Sequence, residues 1–446
     1  MKLFDWSLRL SGLPIHLAVP VFDRLRELEG AALLDYQVQQ QRDIVSFHYS
    51  HNSFYRQWLK VNGVEEPIAT NWQELPVMKK QALQGDLDSR LSEPYINAPL
   101  FKNSTSGSSG VPFQFAKDKW CHALTWASIK YRMGQHGIDF NNSWQARFYG
   151  IPLSAVKYYK ERIKDWFSHR VRFPVFNMND DTCRRYVEHF RRKKFKYING
   201  YTSSLVLFAN YCIRHGIELK EICPTLTHCL PTSEMCDEID RDTLLKGFGV
   251  PVVREYGAAE LDLLAVEDTK GNWVLNEETL YIEVLDEWNR PVPDGEVGRI
   301  VVTALYNKAL PLIRYELGDM GAIDERRTDT GRRILKQLIG RTNDIAILPS
   351  GRKAPGLTFY YVTKSLLTKV NGIREFVVLQ TAPDFFVLQY VAERELADAE
   401  ERSIKGLMDK YLEPGLQMRF EKVEQINRTK VGKLRQFQNL MTPLSK

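Results

Sequence analysis

The stretch Ser104-Thr105-Ser106-Gly107-Ser108-Ser109-Gly110-Val111-Pro112 sets four serines, a threonine and two glycines into otherwise ordinary globular sequence. Gly107 and Gly110 permit a tight backbone turn and a close approach to a ligand. The hydroxyls and exposed N–H groups can then converge on phosphate oxygens. The same composition also suits a flexible Gly/Ser surface loop, so the segment alone leaves both readings open. A P-loop would need lysine and then Ser or Thr directly after its last glycine; Val111 and Pro112 occupy those places, which argues against a Walker-type kinase or GTPase.

Four further segments follow in order: Arg254-Glu255-Tyr256-Gly257-Ala258-Ala259-Glu260, Arg314-Tyr315-Glu316-Leu317-Gly318-Asp319, Gly340-Arg341-Thr342-Asn343-Asp344, and Asn427-Arg428-Thr429-Lys430-Val431-Gly432-Lys433-Leu434-Arg435. With the Ser/Gly stretch, these five segments over residues 104–435 resemble the motifs of adenylate-forming enzymes, the superfamily of acyl-CoA synthetases, luciferases and nonribosomal adenylation domains. Within it the chain is most similar to the phenylacetate-CoA ligase-like branch and its relatives from capsular-polysaccharide biosynthesis. The marks are a phosphate loop without lysine, Asp118 and Trp120 soon after it, and Ser233-Glu234 where other branches carry a glycine-rich adenine contact.

The resemblance implies an α/β fold: a large multi-subdomain adenylate-forming domain over residues 1–340, and a small mobile α+β domain over 341–446 that carries the catalytic lysine loop. It implies ATP and Mg2+ as cofactors, a small-molecule carboxylic acid as substrate and CoA as co-substrate. It also assigns roles. Ser104, Thr105, Ser106, Gly107, Ser108, Ser109 and Gly110 would hold phosphate; Ser233, Glu234, Tyr256 and Gly257 would meet adenine; Asp319 and Arg341 would meet ribose. Asn343 would be the hinge, Glu260 the magnesium carboxylate, and Lys433 the lysine bridging carboxylate and α-phosphate, with Lys430 as its rival in the same loop.

The chemistry suits these residue types. A carboxylate attacking the α-phosphate brings two anions together, and a metal with a positioned cation lessens the repulsion. A tyrosine ring stacks on a base, and an aspartate accepts from two ribose hydroxyls. Blander readings stand beside each: Glu260 as a surface residue at a helix start, Tyr256 as a core tyrosine at a strand end, Asp319 as a turn cap, Arg341 in an interdomain ion pair, and Lys433 as a solvated lysine. Three departures from the motifs point to a divergent member with an unusual acceptor. Ala259 stands where threonine is usual, Asn343 where a hinge aspartate or lysine is usual, and Asn427 where proline is usual. The acyl group would pass to CoA, or alternatively to an anionic amine or hydroxyl acceptor such as a polysaccharide sugar. A third alternative is an inactive nucleotide-binding scaffold.

The bulk numbers fit such an enzyme. At 446 residues the chain exceeds one small core. Its 43% hydrophobic and 26% charged content is that of a globular protein, with no run of about 20 apolar residues for a transmembrane segment. The six cysteines contain no C-x-x-C and no finger-spaced histidine, and without a signal peptide they suggest free thiols in the cytoplasm. His228 beside Cys229 reads as core or surface rather than a ligand. Some relatives carry a cysteine–histidine metal site after the tyrosine–glycine motif, but Leu261 to Asp268 contains neither residue type.

Net charge is +6, yet residues 157–196 hold 13 basic against 5 acidic side chains, densest at Arg191-Arg192-Lys193-Lys194-Phe195-Lys196. A solvated helix face or a patch for an anionic partner would both give this pattern. No nucleic-acid module surrounds it. A homodimer is compatible with the sequence.

Periodicity reads as helix around Val21-Phe22-Leu25-Leu28 and Leu33-Tyr36, with Ser11 to Phe22 docking on the large domain. Strands are expected at 251–256, 280–285, 299–303, 376–379, 385–390 and 417–420, and a helix from Ala397 to Tyr411. Phe148-Tyr149-Gly150 and Tyr201-Thr202-Ser203-Ser204 are candidates for the acid pocket or for structural roles.

Overall fold

The computed structural model describes residues 3–104, 113–149, 163–175, 178–341, 345–351, 353–355, 373–427 and 437–441. The chain divides by its contacts into one unit of Met1–Leu317 with Gly321–Gln337, and a second of Gly318–Met320 with Leu338–Lys446.

The first unit begins with helices α1 (Leu3–Leu10), α2 (Ile15–Leu25), α3 (Gly30–His51) and α4 (Ser53–Val61). The apolar segment expected to dock does so: Ile15, Ala18 and Phe22 of α2 pack with Phe4 and Leu8 against Ala123, Leu124 and Ala127. Short strands β1 (Met78–Lys79), β2 (Phe101–Ser104) and β3 (Gln114–Lys117) precede α5 (Lys119–Gln135). Asp118 caps α5 by accepting from the Cys121 N–H at 2.9 Å, and its other oxygen accepts from the Lys308 N–H at 2.9 Å. Burial raises this carboxyl against those bonds.

A four-stranded parallel sheet follows, built from β4 (Gln145–Phe148), β5 (Arg170–Phe173), β6 (Tyr197–Tyr201) and β7 (His228–Thr232) in the order β5-β4-β6-β7. Parallel neighbours need crossover connections. Helices α6 (Asp180–Arg192) and α7 (Thr202–Arg214) supply them, and α8 (Glu238–Phe248) follows β7. Alternation along the strands sends Ala146, Phe148, Ile198 and Cys229 into one core with Val187, Phe190, Leu205, Phe208, Leu244 and Phe248 of these helices. A Cβ at Gly247 would lie 2.7 Å from the Ala209 carbonyl oxygen, so glycine is what lets α8 pack on α7. The cysteines among these residues are free thiols, as are all six in the chain.

An eight-stranded, largely antiparallel sheet comes next: β8 (Glu255–Ala258), β9 (Asp262–Glu267), β10 (Trp273–Leu275), β11 (Leu280–Leu285), β12 (Gly298–Ala304), β13 (Tyr315–Arg327) and β14 (Arg333–Arg341). The order is β11-β12-β13-β14-β10-β9-β8, with β1 parallel to β13. Helix–strand alternation is therefore confined to the β4–α8 region. The strands read from sequence at 280–285 and 299–303 are neighbours in this sheet, paired antiparallel from Leu280↔Ala304 to Leu285↔Arg299.

The second unit, described by itself, carries hairpin β15 (Ile345–Ile347) and β16 (Lys353–Pro355), then β17 (Ile373–Ala382), β18 (Phe385–Ala392), α9 (Asp398–Tyr411), β19 (Gln417–Lys422) and β20 (Phe437–Asn439). Its sheet runs β19-β18-β17-β20. Ile404 and Met408 of α9 pack on Val378, Phe386 and Leu388. Fully buried Gln380 ties β15 to β17, donating to the Ile347 carbonyl at 2.7 Å and accepting from its N–H at 3.1 Å. Among the described residues no helix is long and apolar enough to cross a membrane.

Candidate active site

In a parallel sheet the loops after the strands' C-terminal ends gather at one edge, where ligands of α/β proteins bind. Here β4 leads to Tyr149, β6 to Thr202 and Ser203, and β7 to Ser233 and Glu234. The Tyr149 and Tyr201 rings lie 4.4 Å apart, so both tyrosine segments singled out in the sequence meet at this edge. The Glu234 carboxylate accepts from the Ser203 N–H at the start of α7 at 2.8 Å, where a helix favours negative charge. Ser233 adopts φ 66°, a left-handed conformation rare for a non-glycine residue.

The Tyr256-to-Glu260 segment is drawn to the same edge. Cys229 and Val252 form a parallel bridge, and the Thr232 side chain lies close to the Glu255 carboxylate. Burial raises the Glu255 carboxyl, opposed by Thr232 and by the Arg147 charge. Tyr256 is buried in β8, and Gly257 follows at a register shift in the β8–β9 ladder. A Cβ on Gly257 would collide with the Asp262 carbonyl, so the hairpin closes only with glycine there.

Glu260 occupies the turn of this hairpin, not a helix start or an exposed surface: its side chain is buried and accepts from the Tyr315 hydroxyl at 2.8 Å. The turn is anchored next door. Asp262, at φ 62°, pairs with the Lys117 ammonium, which is 2% exposed, and accepts from the Thr125 hydroxyl at 3.0 Å. Glu260 is a hard oxygen donor of the kind Mg2+ takes one or two of, completing its shell with phosphate oxygens and water. Among the described residues no group of three His, Cys, Asp or Glu side chains gathers as a metal cage. A magnesium ion bound here with nucleotide would be held through Glu260.

Other expected site residues are distributed differently. Ser104 ends β2 with its side chain exposed, paired across to Gln114. Thr105, Ser106, Gly107, Ser108, Ser109 and Gly110 lie outside the described residues, as do Asn343, Lys430 and Lys433. Arg341 ends β14, and its side chain also lies outside them. Asp319 is a buried residue within β13 rather than a turn cap, following Gly318 at φ 82°, and it groups with the second unit.

Two arginines of the quoted segments are structural. Arg314 is fully buried, with its guanidinium on both Glu283 oxygens at 3.2 and 3.1 Å and on the carbonyls of Gln73 and Leu75. Arg254 donates to Glu267 at 2.8 and 2.6 Å. The His228 imidazole is half-buried and stands 5.3 Å from that of His136, and burial first, then the neighbouring His136, pushes it down to about 4.

The basic run is not one helix face. Helix α6 stops at Arg192, Lys193 sits 3.1 Å over the Trp144 ring, and Phe195 is buried. Lys117, Asp262 and Tyr315 were given no role from sequence, because partners 145 and 55 residues apart leave no local signal.

No family model matches the chain. It is 22% identical over 328 residues to protein CapK of Staphylococcus aureus, covering 72% of this chain and 70% of CapK. It is 24% identical over 344 residues to a phenylacetate-coenzyme A ligase of Pseudomonas putida, covering 74% and 75%. Among solved structures, 2-hydroxyisobutyryl-CoA ligase in the postadenylation state with 2-HIB-AMP aligns with a TM-score of 0.70 over 93% of this chain and 91% of that one. At 17% identity that likeness is one of fold.

Proposed function

We propose that the chain is a phenylacetate-CoA ligase-like protein of the adenylate-forming superfamily, which activates a carboxylic acid with ATP and passes the acyl group to CoA. A carboxylate oxygen of the acid attacks the α-phosphorus and the bond to the β-phosphate oxygen breaks, releasing pyrophosphate. The thiolate sulfur of CoA then attacks the acyl carbon, and AMP leaves. The observation that carries this reading is the buried Glu260 carboxylate, held by the Tyr315 hydroxyl in the turn that directly follows Tyr256 and Gly257.

In this reading Tyr256, Gly257, Ser233 and Glu234 border the adenine, Ser104 to Gly110 the phosphates, and Asp319 with Arg341 the ribose. Bound Mg2+ would offset negative charge on the phosphates. Residues 1–340 bind ATP and acid, and residues 341–446 bring Lys433, turning about Asn343 between the two half-reactions.

Acid-dependent pyrophosphate exchange tests the first step, and AMP release with CoA or with hydroxylamine tests the second. CoA-dependent release is the expected result. Adenylate formation that is indifferent to CoA would instead assign an amine or hydroxyl acceptor, and no exchange with any acid would leave only a nucleotide-binding scaffold. Lys433→Ala is expected to slow exchange roughly 100-fold while ATP still binds, because the lysine meets charge that develops in the transition state. Normal turnover in Lys433→Ala alongside a dead Lys430→Ala would reverse the assignment.

A further inference from the structure

We propose that the acid activated by this chain carries a second anionic group, and that Arg147 at the C-terminal half of the parallel sheet recognises it. The proposal rests on the adenylation reading for which carboxylate reacts; the recognition itself comes from the sheet.

Arg147 alternates with Ala146 and Phe148, so it faces away from their helix-covered core. On this second face its register partners are Arg172 of β5 and Asn199 of β6. On the same face Tyr197 and Leu230 pack with Met133, Ile138, Val253 and Val266, Gln145 and Arg170 stand level with Tyr197, and Leu230 stands level with Asn199. Toward the strand ends the face carries Arg147, Asn199 and Thr232, with Glu255 close to Thr232 and to the Arg147 charge. Polar groups gather where the strands end, beside the Tyr149–Tyr201 pair and one residue from Tyr256.

Arg147 carries an unmet donor at the strand ends. Its guanidinium lies 4.1 Å from the Tyr149 ring, but its buried Nε finds no hydrogen-bond partner among the described residues. The carboxylate Asp165 pairs with the other two arginines, accepting from Arg172 at 2.6 Å with Arg170 at 3.6 Å, while its buried Oδ1 has no hydrogen-bond partner among the described residues. Arg170 also donates to the Gln145 amide oxygen at 2.6 Å. Glu255 feels the Arg147 charge and the Thr232 hydroxyl, but its burial disfavours the charged form.

The face therefore sets three arginines against two carboxylates, Asp165 beside Arg170 and Arg172, and Glu255 within reach of the Arg147 charge. The Arg170 guanidinium is pushed down to about 9, by burial first and by Arg147 next. Arg147 is half-buried, and a buried donor left unmet, as its Nε is, carries a cost that a ligand oxygen would remove. A planar guanidinium stacked on an aromatic ring is a preorganised receptor for a carboxylate.

The test compares diacids with their monomethyl esters, which keep shape and lose one charge. Succinate, glutarate, adipate and phthalate, each with its monoester, would be measured in pyrophosphate exchange and, without ATP, in calorimetric binding. Parent, Arg147→Gln and Arg147→Lys would be compared. The parent should prefer at least one diacid over its ester by roughly 10- to 100-fold, the range for a charged hydrogen-bonded contact. Arg147→Gln should level that preference and leave the ester unchanged, and Arg147→Lys should keep part of it.

Equal handling of every diacid and ester by the parent overturns the proposal, and does so without any variant having to fold. A preference that survives Arg147→Gln also overturns it. Failure of the adenylation reading looks different: no acid supports exchange, while calorimetry still records a diacid preference that depends on Arg147.

Discussion

Arg314 and Arg147 each carry a charge into the protein, and their surroundings are opposite. In the antiparallel sheet Arg314 is saturated: both Glu283 oxygens and the carbonyls of Gln73, Leu75 and Asn289 receive its protons. At the end of the parallel sheet, Arg147 has a tyrosine face and a buried Nε without a partner among the described residues. The first arrangement is complete without a ligand and joins the loop before β1 to the sheet. The second is incomplete without one. Both kinds of region border the proposed site, and the difference separates what holds it from what it holds.

The sharpest way to break the comparison is Arg314→Ala. Removing one partner of a buried pair leaves Glu283 uncompensated, and about 3–5 kcal/mol of stability should be lost. Urea unfolding measures this, and a loss under about 1 kcal/mol would mean that the saturated network contributes little.

A smaller effect is expected at Tyr315, whose hydroxyl donates to Glu260. Tyr315→Phe keeps the ring beside Phe113, at 6.1 Å, and removes only the donor. Exchange should fall about tenfold with a raised Mg2+ requirement and an almost unchanged unfolding midpoint, as for loss of one hydrogen bond to a charged group. An unchanged Mg2+ dependence would make Tyr315 a packing residue and remove support for Glu260 as the metal carboxylate.

A third prediction concerns a region that is saturated only in one protonation state. His48 is fully buried, with Nε2 at 2.9 Å from the Asn307 carbonyl and Nδ1 at 3.1 Å from the Ser92 hydroxyl. The carbonyl can only accept, so Nε2 carries the proton and Ser92 donates to Nδ1. Burial pushes this imidazole down to about 3.

Because the folded value lies below the ordinary value of about 6.5, the unfolded chain takes up the proton first. The contribution to stability is full above about pH 6.5 and is lost as pH falls toward 3, by up to about 1.4 kcal/mol per pH unit. Urea midpoints between pH 7 and 4 should show this slope, and His48→Gln should flatten it.

Much of the fold was legible locally. Leu280–Leu285 is β11, and the helix expected from Ala397 to Tyr411 is α9 at Asp398–Tyr411. The strand expected at 251–256 begins only at Glu255, because the backbone before it is taken by other partners. Val252 meets Cys229 in a single bridge, and the Arg254 N–H donates to the Glu267 carboxylate at 2.9 Å.

At the site, motif order singled out Tyr256 and Glu260 because their spacing is local. It gave Lys117 and Asp262 no role, since their pairing depends on a hairpin meeting a strand 145 residues away. Arg147 precedes the quoted Phe148-Tyr149-Gly150 by one position. In a sequence it is one basic residue among many, and its unmet Nε exists only in the folded chain.

The smallest expected effect is also the most discriminating. Arg147→Met keeps an unbranched apolar stem against Tyr149 and removes the charge. If Arg147 were structural in the manner of Arg314, its loss would destabilise the protein by several kcal/mol. If its charge awaits a ligand, the change should lie within about 1 kcal/mol of zero or be stabilising, since a half-buried side chain with an unmet donor is removed. Urea unfolding without acid or ATP decides, with Arg314→Ala measured under the same conditions. A loss approaching that of Arg314→Ala would erase the contrast between the two arginines and return Arg147 to the scaffold.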